Sequence, residues 1–112
     1  MFLFEKNMSE KIIKDITPEE AHELILENKD NADFVIIDVR TKMEYDMGHI
    51  DNASLIDIYR DDFKEEMDKL DRNKEYLVYC RTGARSAAAL GMMDEMDFKK
   101  AYNMLYGIIS YS

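Results

Sequence analysis

Tyr76-Leu77-Val78-Tyr79-Cys80-Arg81-Thr82-Gly83-Ala84-Arg85-Ser86-Ala87-Ala88-Ala89-Leu90 is the stretch that decides the fold. Its first four residues form a short, continuous apolar run, the pattern of a strand buried on both faces, as in a parallel sheet. The run stops at Cys80, passes through a glycine-containing turn, and enters a segment rich in alanine, leucine and methionine that predicts a helix over 86–96. Strand, loop and helix in that order form half of a βαβ unit. Phe34-Val35-Ile36-Ile37 is a second such run and stops at Asp38, with Arg40 close behind.

Outward from these two strands the same grammar continues. Ile12, Ile13 and Ile16 predict a short first strand, Leu55-Ile56 a weak third one and residues 101–105 the last. Thr17-Pro18-Glu19-Glu20 opens a helix with a capping residue, a proline at the first helical position and a glutamate placed for a capping box. Ala21, Leu24 and Ile25 follow at helical spacing, and His22 lies off that stripe, on the surface. Thr41 and Glu44 repeat the capping-box pattern for a short helix to about Met47, ended by Gly48. Residues 61–69 read as a charged helix burying Phe63 and Met67, its acidic face solvated. The alternation predicts an α/β fold with a mainly parallel central sheet of about five strands flanked by helices.

The 112 residues suffice for one domain with one modest core. Residues 1–10 read as an N-terminal extension and 11–112 as the domain. The apolar fraction of 46% and the charged fraction of 35% belong to a soluble globular chain. A net charge of −9 argues against nucleic-acid partners, which require basic surface. No apolar run approaches the ~20 residues of a membrane span, and Met1-Phe2-Leu3-Phe4 runs at once into Glu5 and Lys6, without the apolar core of a signal peptide. A cytoplasmic location is expected, with the thiol reduced. One cysteine rules out an internal disulfide framework, and with only two histidines, His22 and His49, no metal site and no cofactor are expected. Met92, Met93 and Met96 are read as core packing, the usual use of that flexible side chain.

In a parallel sheet, sites form beyond the carboxyl ends of the strands. Asp38 and Cys80 should therefore stand on one edge. Gly83 permits a tight turn, and successive amides of such a loop can point inward as an anion-binding nest. The following helix adds the positive end of its dipole. Two of the five arginines, Arg81 and Arg85, lie in this loop. Cations and helix N-termini lower a thiol pKa from ~8.5 to roughly 3.5–7.5, and the thiolate is the nucleophile. Cys80 is thus a candidate nucleophile that needs no separate base.

Cys80-Arg81-Thr82-Gly83-Ala84-Arg85-Ser86 resembles the active-site loop of the rhodanese homology domain. The resemblance extends through Ile37-Asp38-Val39-Arg40-Thr41, Glu44-Tyr45 and Gly48-His49-Ile50, and reaches the Thr17–Glu20 helix start, so it covers roughly residues 11–112. It implies a sulfurtransferase with Cys80 as the persulfide-forming nucleophile. The amides from Arg81 through Thr82, Gly83, Ala84 and Arg85 to Ser86 would cradle the sulfur and its donor. Arg81 and Arg85 would hold an anionic substrate, Asp38 and Arg40 would brace the loop, and His49 would be structural. The implied partners are a small anionic sulfur donor such as thiosulfate, a thiol or cyanide acceptor, or a sulfur-relay protein. Three places depart from the family pattern: Asp51-Asn52 after Gly-His-Ile, Asp97-Phe98 after the active-site helix, and Tyr106-Gly107 with Tyr111 near the chain end.

Other readings keep the fold and change the chemistry. A cysteine phosphatase of the cell-division-cycle type needs five residues between cysteine and arginine, and here there are four. A non-catalytic regulatory module would commonly lose the cysteine that this chain keeps. A persulfide relay between proteins would use Cys80 in the same way as a small-molecule enzyme, and the sequence leaves those two open.

Overall fold

The computed structural model describes residues 10–111. The expected extension over 1–10 therefore falls, apart from exposed Glu10, outside the described residues. Five strands, β1 (Ile12–Ile16), β2 (Phe34–Asp38), β3 (Ser54–Leu55), β4 (Glu75–Tyr79) and β5 (Lys100–Met104), form one sheet in the order β1-β5-β4-β2-β3, every pair parallel. Four α-helices, α1 (Pro18–Glu27), α2 (Lys42–Met47), α3 (Phe63–Asp68) and α4 (Ala84–Glu95), connect them.

Side chains of a strand alternate between faces. Ile36 and Leu77, paired in register, point with Ile16, Tyr79 and Met104 to the face that Ala21 of α1 covers. Their neighbours Ile37 and Val78 point the other way, to Phe63 and Met67 of α3 and to Ala89, Leu90 and Met93 of α4. Met92 and Met96 pack against this second cluster, so the three methionines are core.

Both capping boxes are present, Thr17 with Glu20 and Thr41 with Glu44. The helix read as 61–69 is shorter, Phe63–Asp68; the Asp62 carboxylate at its cap accepts from Arg60 and makes no capping hydrogen bond, and the helix buries Phe63 and Met67. The weak third strand pairs at Ser54–Leu55, one residue earlier than expected, and the last strand likewise starts at Lys100. The larger correction concerns α4, which begins at Ala84 and not at residue 86. Gly83 caps it in the left-handed conformation, φ 102°, which turns the chain early enough to place Arg85 in the first helical turn.

Two of the departures from the family pattern are absorbed by backbone conformation: Asn52 (φ 70°) and Asp97 (φ 65°) adopt the left-handed turn geometry that short polar side chains tolerate. Tyr106 adopts it too, φ 65°, at a strain that aromatic residues seldom bear.

Asp38 is wholly buried and Arg40 nearly so. Arg40 donates to both Asp38 carboxylate oxygens at 2.7–3.0 Å and to the Gly48 carbonyl at 2.7 Å. Tyr79 donates its hydroxyl to Asp38 Oδ2 at 2.9 Å and accepts from the Ile50 amide at 3.1 Å. The pair therefore ties the Gly48–Ile50 turn to the ends of β2 and β4. Breaking a buried ion pair from one side strands the other charge, at about 3–5 kcal/mol. Asp38→Ala should lose stability on that scale in urea denaturation, whereas Tyr79→Phe, which removes one hydroxyl, should lose about 1–2 kcal/mol.

Candidate active site

Cys80 follows β4 directly and is 1% exposed. Its Sγ accepts hydrogen bonds from the Gly83 amide at 3.1 Å, the Ser86 amide at 3.4 Å and the Ser86 hydroxyl at 3.4 Å. Burial pushes the thiol pKa up. The Ser86 hydroxyl, then the amides of Ser86, Gly83 and Thr82, push it down and together prevail, so the thiol is more acidic than ordinary cysteine. Ala84 and Arg85 occupy the first turn of α4, where an N–H has no acceptor within the helix. The loop thus collects donors around one sulfur atom.

The loop is held from outside by the segment after β5. The Cys80 carbonyl accepts from the Ile108 amide at 2.9 Å and the Arg81 carbonyl from the Ile109 amide at 3.2 Å. Gly107 lies against the Arg81–Thr82 peptide so closely that a Cβ there would overlap the Arg81 carbonyl. The altered Tyr106-Gly107 sequence therefore still closes the loop. Tyr111 turns away from it, and its hydroxyl meets His22 Nδ1 at 3.3 Å.

The two loop arginines have different fates. Arg81 is exposed and, among the described residues, has no ion-pair partner. Arg85 is clamped by Glu44 through two hydrogen bonds of 2.7 and 2.9 Å, and its guanidinium lies 5.7 Å from the Tyr59 ring centroid. Of the two arginines expected to hold an anion, Arg85 is engaged by Glu44, while Arg81 is exposed at the start of the loop. The charge of Arg85 is already balanced, and the hydrogen bonds of the loop dominate the acidity of Cys80. Asp38 and Arg40 lie at the same sheet edge, but their contacts go to the Gly48–Ile50 turn. Glu44 of α2 is what reaches the loop. His49 stacks on Tyr45 with centroids 3.6 Å apart and bonds the Tyr45 carbonyl at 2.8 Å, a structural position.

Sequence reasoning gave Glu44 only a capping role, and its second role had no local signal because Arg85 is 41 residues away. Asn103 and Asp15 were also missed. Ser86 Oγ lies 2.5 Å from Asn103 Oδ1, and Asn103 Nδ2 lies 3.0 Å from Asp15 Oδ1. A groove of about 1200 Å³ runs between α1 and the 48–52 turn, bordered by His22, Leu26, Phe34, Ile50 and Tyr111, and takes in none of residues 80–86.

The family model described as Rhodanese-like domain matches residues 17–112. A tRNA uridine(34) hydroxylase of Chlamydia trachomatis is 36% identical over 106 residues, covering 88% of this chain and 31% of that protein. A probable adenylyltransferase/sulfurtransferase MoeZ of Mycobacterium tuberculosis is 34% identical over 97 residues, 87% of this chain and 24% of that protein. The chain thus spans less than a third of the length of these curated relatives. Among solved structures, a rhodanese-like domain protein from Staphylococcus aureus superposes with a TM-score of 0.75 at 29% identity, covering 88% of this chain and 91% of that one.

Two measurements probe the geometry of the site. Gly107→Ala should displace the Arg81–Thr82 peptide, lower stability by about 1–3 kcal/mol and raise the alkylation midpoint of Cys80. Gly91→Ala, in open space on α4, should be neutral or stabilising. Glu44, ordinarily near 4.5, is held at about 2, chiefly by the Arg85 hydrogen bonds acting against burial. A depressed carboxyl stabilises fully above its unfolded pKa and loses that effect as pH falls through the folded one. The stability gap between the parent chain and Glu44→Gln should therefore be constant above pH 4.5 and close toward pH 2, as followed by denaturant titration.

Proposed function

The chain belongs to the rhodanese-like domain family, and from that premise we propose that it transfers sulfane sulfur through a persulfide on Cys80. The observation that carries this reading is the convergence of Gly83 and Ser86 donors on a buried, acidified Sγ. The thiolate attacks the outer sulfur of an anionic donor such as thiosulfate. A new S–S bond forms at Sγ while the donor's own S–S bond breaks, and sulfite leaves with the electron pair. A thiolate or cyanide acceptor then attacks the outer sulfur, and Cys80 departs as thiolate.

The loop amides serve this cycle better than an arginine would, because they are fixed by backbone and need no reorganisation. Arg81, exposed at the start of the loop, meets the donor's charge. Four residues between Cys80 and Arg85 enclose a smaller ring than a phosphoryl group with three equatorial oxygens requires, and Arg85 is already committed to Glu44. Both features favour sulfur over phosphate.

A second reading gives the acceptor or donor role to a protein, as in a persulfide relay. One observation favours it. Met43 and Met47 of α2, Tyr59 after β3, and Tyr106 and Ile109 after β5 are large apolar side chains, each at least 60% exposed, on segments that follow the carboxyl ends of the strands. Such a rim suits contact with another macromolecule. The regulatory-module reading has no comparable support, since the cysteine and its donors are intact.

Incubation with thiosulfate should add the mass of one sulfur atom to the parent chain and none to Cys80→Ser, as read by intact-mass spectrometry. Cyanide should remove the adduct and yield thiocyanate. An adduct on the Ser variant, or steady hydrolysis of p-nitrophenyl phosphate by the parent with no sulfur adduct, would overturn the proposal.

A further inference from the structure

Behind Cys80, away from the loop mouth, a chain of polar groups runs through the sheet from Sγ to the outer strand. Ser86 is fully buried and Asn103, on β5, is 2% exposed, whereas Asp15 lies on β1 at the position paired with Asn103 and is exposed. The Ser86 hydroxyl has three neighbours that can accept its hydrogen: Asn103 Oδ1 at 2.5 Å, the Gly83 carbonyl at 3.2 Å and Cys80 Sγ at 3.4 Å. A hydroxyl has one hydrogen and can satisfy one of them fully.

The orientation of Asn103 decides which. Its nitrogen faces Asp15 Oδ1 at 3.0 Å and the Gly83 carbonyl at 3.5 Å, both of which only accept. With the carboxylate ionised, the amide nitrogen must lie on that side, which turns Oδ1 toward Ser86. The shorter contact then competes with Sγ for the hydroxyl hydrogen, so the 3.4 Å donation to sulfur is weaker than an uncontested hydroxyl would give. That competition favours an uncharged Sγ, whether thiol or persulfide, and limits the support a thiolate receives. We infer that Asp15 and Asn103 are positioning residues that set the direction of the Ser86 hydroxyl hydrogen, and through it the ease with which Cys80 takes up and gives up negative charge.

The inference deepens the sulfur-carrier reading and takes its purpose from it, while its geometry is independent of it. In the transfer step the S–S electron pair passes to Sγ as the outer sulfur leaves. The hydroxyl hydrogen then swings from Asn103 Oδ1 to Sγ as a hydrogen-bond donor, with no proton transferred. The relay makes this swing costly in one direction and easily reversed in the other, so the thiolate is available but not over-stabilised. The other charged groups around Cys80 are the exposed Arg81 that follows it in the loop, Arg85 from the first turn of α4 and its partner Glu44 from α2, with Tyr59 against the arginine. Arg85 and Glu44 balance each other through their paired hydrogen bonds.

The test is the pH dependence of iodoacetamide alkylation of the reduced protein, with no sulfur donor present. Asparagine at position 15 can donate as well as accept, so Asp15→Asn lets the Asn103 amide invert, donate to Ser86 and free the hydroxyl for sulfur. The alkylation midpoint should fall by about half a pH unit or more, about a threefold change in thiolate population well below the midpoint. Asn103→Ala should shift it the same way. In a Ser86→Ala background Asp15→Asn should no longer shift the midpoint, because the link is gone. If Ser86→Ala does not fold, the Asn103→Ala background makes the same comparison. An unshifted midpoint in Asp15→Asn would overturn the inference, and so would a shift that persists undiminished in either background, which would mark a plain field effect of the lost charge. Failure of thiosulfate to load Cys80 would instead sink the sulfur-carrier reading and leave these midpoints to stand on their own.

Discussion

Burial and ionisation pull a thiol in opposite directions, and the contest at Cys80 organises the molecule. A sulfur 1% exposed would ordinarily stay neutral, since a low-dielectric surrounding disfavours the charged form. Here the donors of Ser86, Gly83 and Thr82 outweigh burial and lower the thiol pKa. They can do so only if the loop holds one shape, and the rest of the fold supplies that shape. The left-handed Gly83 turns the chain into α4, Gly107 admits the segment after β5 against the Arg81–Thr82 peptide, and two backbone bonds from Ile108 and Ile109 fasten the loop's first residues. Activation is therefore shared between the Ser86 hydroxyl and a backbone shape set by two glycines and a helix start.

Ion pairs give this edge of the sheet its rigidity. Asp38 and Arg40 fix the Gly48–Ile50 turn, and Glu44, six residues after Asp38, carries the brace onward to Arg85 at the start of α4. Each group is also satisfied by hydrogen bonds: Glu44 accepts from Thr41 as well as Arg85, and Asp38 from Tyr79. Saturated pairs of this kind fix geometry more than they add stability. The arrangement leaves Arg81 as the exposed cation of the loop, so the local field at the mouth is weaker than two arginines in sequence imply.

Much of this was legible along the chain because its signals are local. The two capping boxes, the apolar runs ending at Asp38 and Cys80, and the glycine between cysteine and helix are each contained within a few residues, and each stands where it was read. Partnerships across the sheet were not legible. Nothing near Glu44 announces Arg85, and nothing near Asp15 announces Asn103, because parallel pairing brings together residues separated by whole βαβ units. The start of α4 was misplaced for a related reason. Arginine and alanine fit a loop or a helix equally well, and the decision came from the conformation of Gly83 and the pressure of residues 104–107 against it.

The near-complete enclosure of Sγ bears on which of two sulfurs an incoming nucleophile can strike. In the proposed persulfide the inner sulfur lies under the loop with Ser86 behind it, and only the outer sulfur extends toward the mouth where Arg81 and Thr82 are exposed. Attack on the inner atom would expel hydrosulfide and leave a mixed disulfide, a dead end for transfer. Attack on the outer atom hands the sulfur on and regenerates the thiolate. Steric shielding of a single atom thus imposes regioselectivity on a reagent whose two sulfurs are otherwise both electrophilic, and it does so without a side chain dedicated to discrimination.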